Sequence, residues 1–309
     1  MKFPLELGVI TRFLAGAAMG RCTRIIGVLG VMALAGVLQG CSMMKIAYNQ
    51  APELVYWHLD SHFDFTDAQT PQVKADLAKL QAWHRQTQLP AYIETLQKLR
   101  QQMPSEMDAA SACALYADVR SKLIAVSNHM EPAVVALVGT LNPDQLVTLE
   151  RRFAKGNTEY REDFLDGSPK TRRDKRYKQA VKRAEMLYGD LDEKQLAVIG
   201  HRIDNSHFSA PVSYREKLRR QQDALQTLRS LVAGQATPEK TQAAMKELFE
   251  RSLNSPDAAY RDYMDKLTQD ACTSFAELHN STTPAQRARA VETLLRYEQD
   301  FRTLHTRKS

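Results

Sequence analysis

Strand signals are nearly absent from this sequence. Only Val134-Val135-Ala136-Leu137-Val138 looks strand-like, and that run follows Pro132 at a plausible helix start. Catalytic motifs are missing too. There is no Gly-x-Ser-x-Gly elbow, no phosphate loop and no glycine-rich dinucleotide turn, the devices that expose a nucleophile or hold a phosphate against backbone N–H groups. Serine, histidine and aspartate occur, but no local arrangement singles out a nucleophile. The expectation is a protein that is not an enzyme, with no catalytic residue and no cofactor. Helix starts recur without a fixed period, which argues against a solenoid. The apolar run Ile25–Leu38 has 14 residues, short of the roughly 20 that span a bilayer.

What is present is helical spacing. Val73, Leu77, Leu80 and Trp83 form one stripe at intervals of three and four, and Ile93, Leu96, Leu99 and Met103 form the next. Tyr260, Met264, Leu267, Ala271, Phe275 and Leu278 make the cleanest stripe, with Cys272 at its edge. The pattern predicts an all-α protein, a multi-helix bundle of eight to ten helices with short loops. Residues 42–166 and 170–309 form either one continuous bundle or two lobes.

Ahead of the bundle, Arg21 and Arg24 precede the apolar run, and Leu38-Gln39-Gly40-Cys41 follows it. Basic start, short apolar middle and small residue at the cut site are the parts of a secretory signal. The last four residues resemble the bacterial lipobox. The resemblance implies cleavage between Gly40 and Cys41 and acylation of Cys41, palmitate included, with residues 1–40 outside the fold. Several acyl chains anchor a protein stably where one does not. In Gram-negative lipoproteins an aspartate after the cysteine retains the protein at the inner membrane, so Ser42 points to the outer membrane. Met19 is the expected true start, or residues 1–18 are a long basic leader.

The leader holds Lys2, Arg12, Arg21 and Arg24 against Glu6, a net of +3, so a formal charge of +6 leaves +3 for the remainder. That is no nucleic-acid signature. Four cysteines are present, of which Cys22 leaves with the leader and Cys41 is lipidated. Cys113 and Cys272 remain as an even pair in an oxidising compartment. They either bridge, closing a loop whose constraint is worth on the order of 4–5 kcal/mol in the chain-entropy model, or stand as two unrelated buried thiols.

Five helix starts look alike: Thr66-Asp-Ala-Gln69, Asn142-Pro-Asp-Gln145, Asp192-Glu-Lys-Gln195, Thr237-Pro-Glu-Lys240 and Thr283-Pro-Ala-Gln286. Four place glutamine three residues after a capping residue, the capping-box arrangement in which each side chain serves the other's backbone N–H. The pattern is also similar to the Leu-Thr-x-x-Gln motif of small periplasmic helical chaperones of the Spy type, which implies chaperone-like binding of unfolded clients as an alternative function. Ala47-Tyr-Asn-Gln50, Tyr56-Trp-His-Leu-Asp60, Gln69, Trp83-His-Arg85 and Leu89-Pro-Ala-Tyr92, with Leu187-Tyr-Gly-Asp-Leu191 and Gln195 further on, resemble a family of uncharacterised proteobacterial helical lipoproteins. That resemblance implies fold and address and assigns no catalytic residues. Tyr56, Trp57, His58, Asp60, His62 and Phe63 line a groove, meet the membrane interface, or cap the bundle against Trp83 and Tyr92.

The basic charge is concentrated. Lys170, Arg172, Arg173, Lys175, Arg176, Lys178, Lys182 and Arg183 stand against Asp174 alone, a net of +7, so the rest of the segment after the leader sums to −4. Gly167, Ser168 and Pro169 precede the run, which should open a helix. Such a cluster either attracts anionic surfaces or is a solvated helix face. The expected partners are the membrane, through the lipid, and an envelope protein or anionic envelope component. Two histidine placements have metal-like spacing, His58 with His62 and His201 with Asp204. They leave a metal-dependent protein as a second alternative, although no metal ligand is assigned.

Overall fold

The computed structural model describes residues 43–306, so Gly40 and Cys41 lie outside the described residues. Helix α1, Met43–Asn49, belongs to a separate unit from the body, which starts at Gln50. The body contains α2 (Ala51–Phe63), α3 (Thr70–Trp83), a π turn (His84–Gln88), α4 (Leu89–Gln102), α5 (Ala109–Val138) and α6 (Pro143–Phe164). It continues with α7 (Pro169–Tyr188), α8 (Glu193–Asp204), α9 (Ala210–Ala233), α10 (Pro238–Leu253), α11 (Ala258–Asn280) and α12 (Pro284–Thr306). Helix α3, the π turn and α4 run on without a break, so the described residues of the body form ten helical rods. The protein is all-α, with no strand among the described residues.

The apolar stripes define where the helices meet. Val138, Leu141, Leu146, Leu149, Leu225, Leu228, Leu231, Met245 and Leu248 bring α5, α6, α9 and α10 into the largest core cluster. Met103, Tyr188, Ala290 and Leu294 join the end of α4 to α7 and α12. Val73 and Leu77 are buried against Phe65. Pro90 has no N–H for the Gln86 carbonyl, and the helix widens into its π turn over that stretch.

Three local expectations need correction. Val134–Val138 is helical, and Pro132 lies inside α5 rather than at a helix start. A proline there costs about 3 kcal/mol, and the packing of Val134, Val135 and Val138 into the main cluster offsets it. In α11 the C-terminal half buries Cys272, Ala276 and His279 while Ala271 is exposed, one position round from the expected stripe, because α5 approaches from the cysteine side. Trp83 and Tyr92 do not receive the N-terminal aromatics. Trp83 stacks on His129 at 3.8 Å, Tyr92 packs near His84 and Phe301, and Tyr56 and Phe63 turn to Phe65.

All four glutamines close a box of the capping-box form, the first over the turn Thr66–Gln69 that leads into α3, and they do more than cap. At each corner the glutamine Oε1 accepts from its own N-cap N–H, at 3.0 Å for Thr66, 3.1 Å for Asn142, 3.0 Å for Asp192 and 2.9 Å for Thr283. The Nε2 then crosses to a second corner. Gln69 donates to the Thr140 carbonyl and Gln145 to the Asp64 carbonyl, and each contacts the other's Oε1. Gln195 donates to the Ser281 carbonyl and Gln286 to the Asp190 carbonyl, again with reciprocal contact. Each target carbonyl lies two residues before the other corner's N-cap. The pattern reads the same when the two corners are exchanged. One clasp joins the α2/α3 corner to the α5/α6 corner, and the other joins α7/α8 to α11/α12. The packing repeats with them: α2 on α6 and α3 on α5, then α7 on α12 and α8 on α11. Gly189, beside the second clasp, has φ +79°, a conformation that calls for glycine.

Cys113 of α5 and Cys272 of α11 stand at disulfide-bonding distance, with Cα atoms 5.2 Å apart. Behind them lies a buried polar relay. His279 Nε2 faces the Ser105 carbonyl at 2.8 Å, and its Nδ1 faces the Tyr188 hydroxyl at 3.0 Å. A carbonyl only accepts, so Nε2 carries the hydrogen and Nδ1 accepts from tyrosine. Burial pushes the His279 pKa below its ordinary value. Unfolded, the imidazole binds a proton as pH falls through about 6.5, while the folded protein resists. Stability from this group is therefore complete above that pH and is lost as pH falls through the lower folded pKa. Thermal melts from pH 7.5 to pH 5 should show a steeper loss in wild type than in His279→Gln. Parallel slopes would remove His279 as a source of the pH dependence.

Candidate arginine cleft

The basic run opens α7 as expected, with Ser168 accepting from the Thr171 N–H at 3.1 Å. Its eight cations then divide. Lys170, Lys175, Lys178, Lys182 and Arg183 lie on the exposed face. Two of them are ion-paired there, Lys170 to Asp174 at 3.0 Å and Lys175 to Asp163 at 3.2 Å. Arg172, Arg173 and Arg176 point the other way, into a cleft of about 370 Å³. Phe164 and Leu165 at the end of α6 form one side, with Pro169. Phe208, Ser209, Ala210 and Pro211 at the start of α9 form the other.

Each arginine is held differently. Arg172 donates to the Leu165 carbonyl and, at 3.3 Å, to the Gly167 carbonyl, closing the C-terminal end of α6. Arg173 makes a fork with Asp204 of α8, Nε to Oδ1 at 2.6 Å and Nη2 to Oδ2 at 2.7 Å. That bond raises the arginine pKa and lowers the carboxyl pKa. The Arg176 guanidinium lies 4.5 Å from the centre of the Phe208 ring, a cation–π contact. Burial lowers its pKa, yet an arginine stays charged at any physiological pH. Among the described residues, neither Arg172 nor Arg176 has a carboxylate within 4.0 Å, so the cleft keeps a net positive charge.

The far wall is fixed from α11. Asp270 accepts from the His207 N–H at 2.7 Å, and the Tyr263 hydroxyl bridges the Ser209 N–H and carbonyl at 3.0 and 3.1 Å. Ser209 caps α9, whose N-terminal end adds a partial positive charge. Sequence reasoning found the cations but not this wall. Ser209-Ala-Pro211, a capping residue followed by proline, was the available signal for the helix start.

The metal-like pairs do not assemble. Asp204 is committed to Arg173 rather than His201, and His207 faces Asp270. The His58 and His62 rings lie 4.6 Å apart, with His62 Nδ1 on the His58 carbonyl and Asp60 accepting from the Phe65 N–H. No group of three metal-ligating residues converges among the described residues.

The structure thus defines a helical protein with a cationic, aromatic-walled cleft, built from a chain pinned at its corners by paired glutamines. The chain belongs to DUF6279, a family of unknown function whose model matches residues 61–261, a span that includes the cleft and three of the four clasp glutamines. No curated protein and no solved structure matches it.

Proposed function

We propose that the protein is a non-enzymatic lipoprotein of the outer membrane, anchored through acylated Cys41 and facing the periplasm, that binds an anionic envelope component. The observation that carries the binding role is the convergence of Arg172, Arg173 and Arg176 on one cleft with aromatic sides. Guanidinium groups donate several hydrogen bonds in a plane and suit phosphate or carboxylate oxygens. The lipid anchor rests on the sequence ending in Cys41. The chaperone-like reading gains no support from its motif, because the glutamines are consumed in the clasps and present no client surface.

Two measurements test this. Intact mass of membrane-extracted protein should show a species beginning at acylated Cys41, and an unprocessed leader would end the envelope address. Binding to vesicles containing anionic phospholipid or lipopolysaccharide should then weaken about tenfold or more in Arg176→Gln, the loss of one charge-assisted contact of about 1.5–3 kcal/mol. Replacing Lys175, Lys178 and Lys182 by glutamine should mainly flatten the salt dependence. Equal losses from both variants would point to diffuse charge and against the cleft.

A further inference from the structure

Helix α2 has no buried residue. Its inner side rests Tyr56, Leu59 and Phe63 against Phe65, Val73 and Leu77. The opposite side holds Leu54, Trp57, His58 and Ser61, spaced i, i+3, i+4 and i+7, which places them on one helical face. All four are exposed. Trp57 is 60% exposed, Leu54 39% and neighbouring Val55 41%. A tryptophan held so far out of the core forgoes the stabilisation that burial of its ring would bring.

The carboxylates of α2 are turned away from this face. Glu53 pairs with Lys74 at 3.3 Å, and Asp60 accepts from the Phe65 N–H at 3.0 Å. Helix α6, which carries Arg151 and Arg152, packs on α2, and after burial and His62 the Arg152 charge also holds the His58 pKa down. The face is therefore apolar and aromatic with a basic flank. Its distance from the anchor is limited by the chain: Leu54 lies thirteen positions after Cys41, a stretch that reaches at most about 45 Å, however it is arranged.

From this we infer that the Leu54–Val55–Trp57 face of α2 lies against the lipid surface to which Cys41 is anchored, with Trp57 at the headgroup boundary. The inference rests on the lipoprotein reading. Tryptophan favours that boundary because its ring is apolar while its indole N–H stays hydrated. Side chains of this kind, weak alone, bind firmly once a covalent lipid has brought them to the surface. The body would then be oriented on the membrane rather than swinging from a free tether.

The chain has two tryptophans, Trp57 and Trp83, so Trp83→Phe makes Trp57 the only fluorescent one. Full-length acylated protein in phosphatidylethanolamine–phosphatidylglycerol vesicles should show Trp57 emission shifted to the blue relative to the Cys41→Ser protein in buffer. Iodide quenching should fall several-fold, and lipids brominated on the acyl chain should quench it. Leu54→Ser with Val55→Ser should restore iodide access. If Trp83→Phe fails to fold, the same signals are read in the two-tryptophan protein and should vanish in Trp57→Phe. Acylated, vesicle-bound protein whose Trp57 remains as open to iodide as in buffer overturns this inference and leaves the anchor standing. Protein that carries no acyl chain at Cys41 overturns both.

Discussion

Removing the Cys113–Cys272 bridge, in Cys113→Ser with Cys272→Ser, is expected to lower the unfolding free energy by about 5 kcal/mol. The two positions are 159 residues apart in sequence. A bridge between them removes from the unfolded chain the freedom of a loop spanning half the protein, and the chain-entropy account ties the effect to that length. The site is ready to accept it. Cys272 is buried with Met107 and Ala112, and α5 packs on α11 along this line, so the native pair is held in place without the bond. Urea titrations of oxidised wild type and the double variant measure the difference. A midpoint that does not move would mean that the thiols are unbridged in the protein or that the unfolded chain is already compact there.

The second large effect belongs to the clasps. Gln195 is fully buried. Truncating it to alanine takes the acceptor from the Asp192 N–H and the donor from the Ser281 carbonyl, and leaves Gln286 facing a void. Cavity and orphaned polar groups together should cost about 3 kcal/mol. Because Gln195 and Gln286 act as a pair, Gln195→Ala with Gln286→Ala should cost less than the two single changes added, by about 1 kcal/mol. Strict additivity in the four-protein cycle would show that each glutamine merely caps its own helix.

The fold class was readable because its signals are local. Stripes at three and four fixed helices, and Thr66, Asn142, Asp192 and Thr283 marked helix starts by chemistry confined to four residues. The joining of those starts was not readable. Gln69 meets Gln145 across 76 residues and Gln195 meets Gln286 across 91, and nothing within a capping box says which other corner will receive its second amide hydrogen. The cleft was half readable. A run of eight cations announces a charged surface, but Phe208 and Ser209 were needed to show that Arg172, Arg173 and Arg176 leave the exposed face. The stripe in α11 was placed one position off because spacing fixes the period of a buried face, while the neighbour that packs on it fixes the phase.

The paired glutamines also bear on how the protein can change. Corner geometry is set by contacts among a handful of residues, while the polypeptide between two clasped corners packs its own helices and enters the clasp only through its ends. Its span is 76 residues in one clasp and 91 in the other, and both close with the same bonds. Exposed turns between corners can therefore lengthen with little strain, for the entropy of closing a flexible loop grows only with the logarithm of its length. The joints behave as fixed couplings between helices. Gly234 and Gln235 form an exposed turn within the longer span, and inserted chain should be tolerated there first.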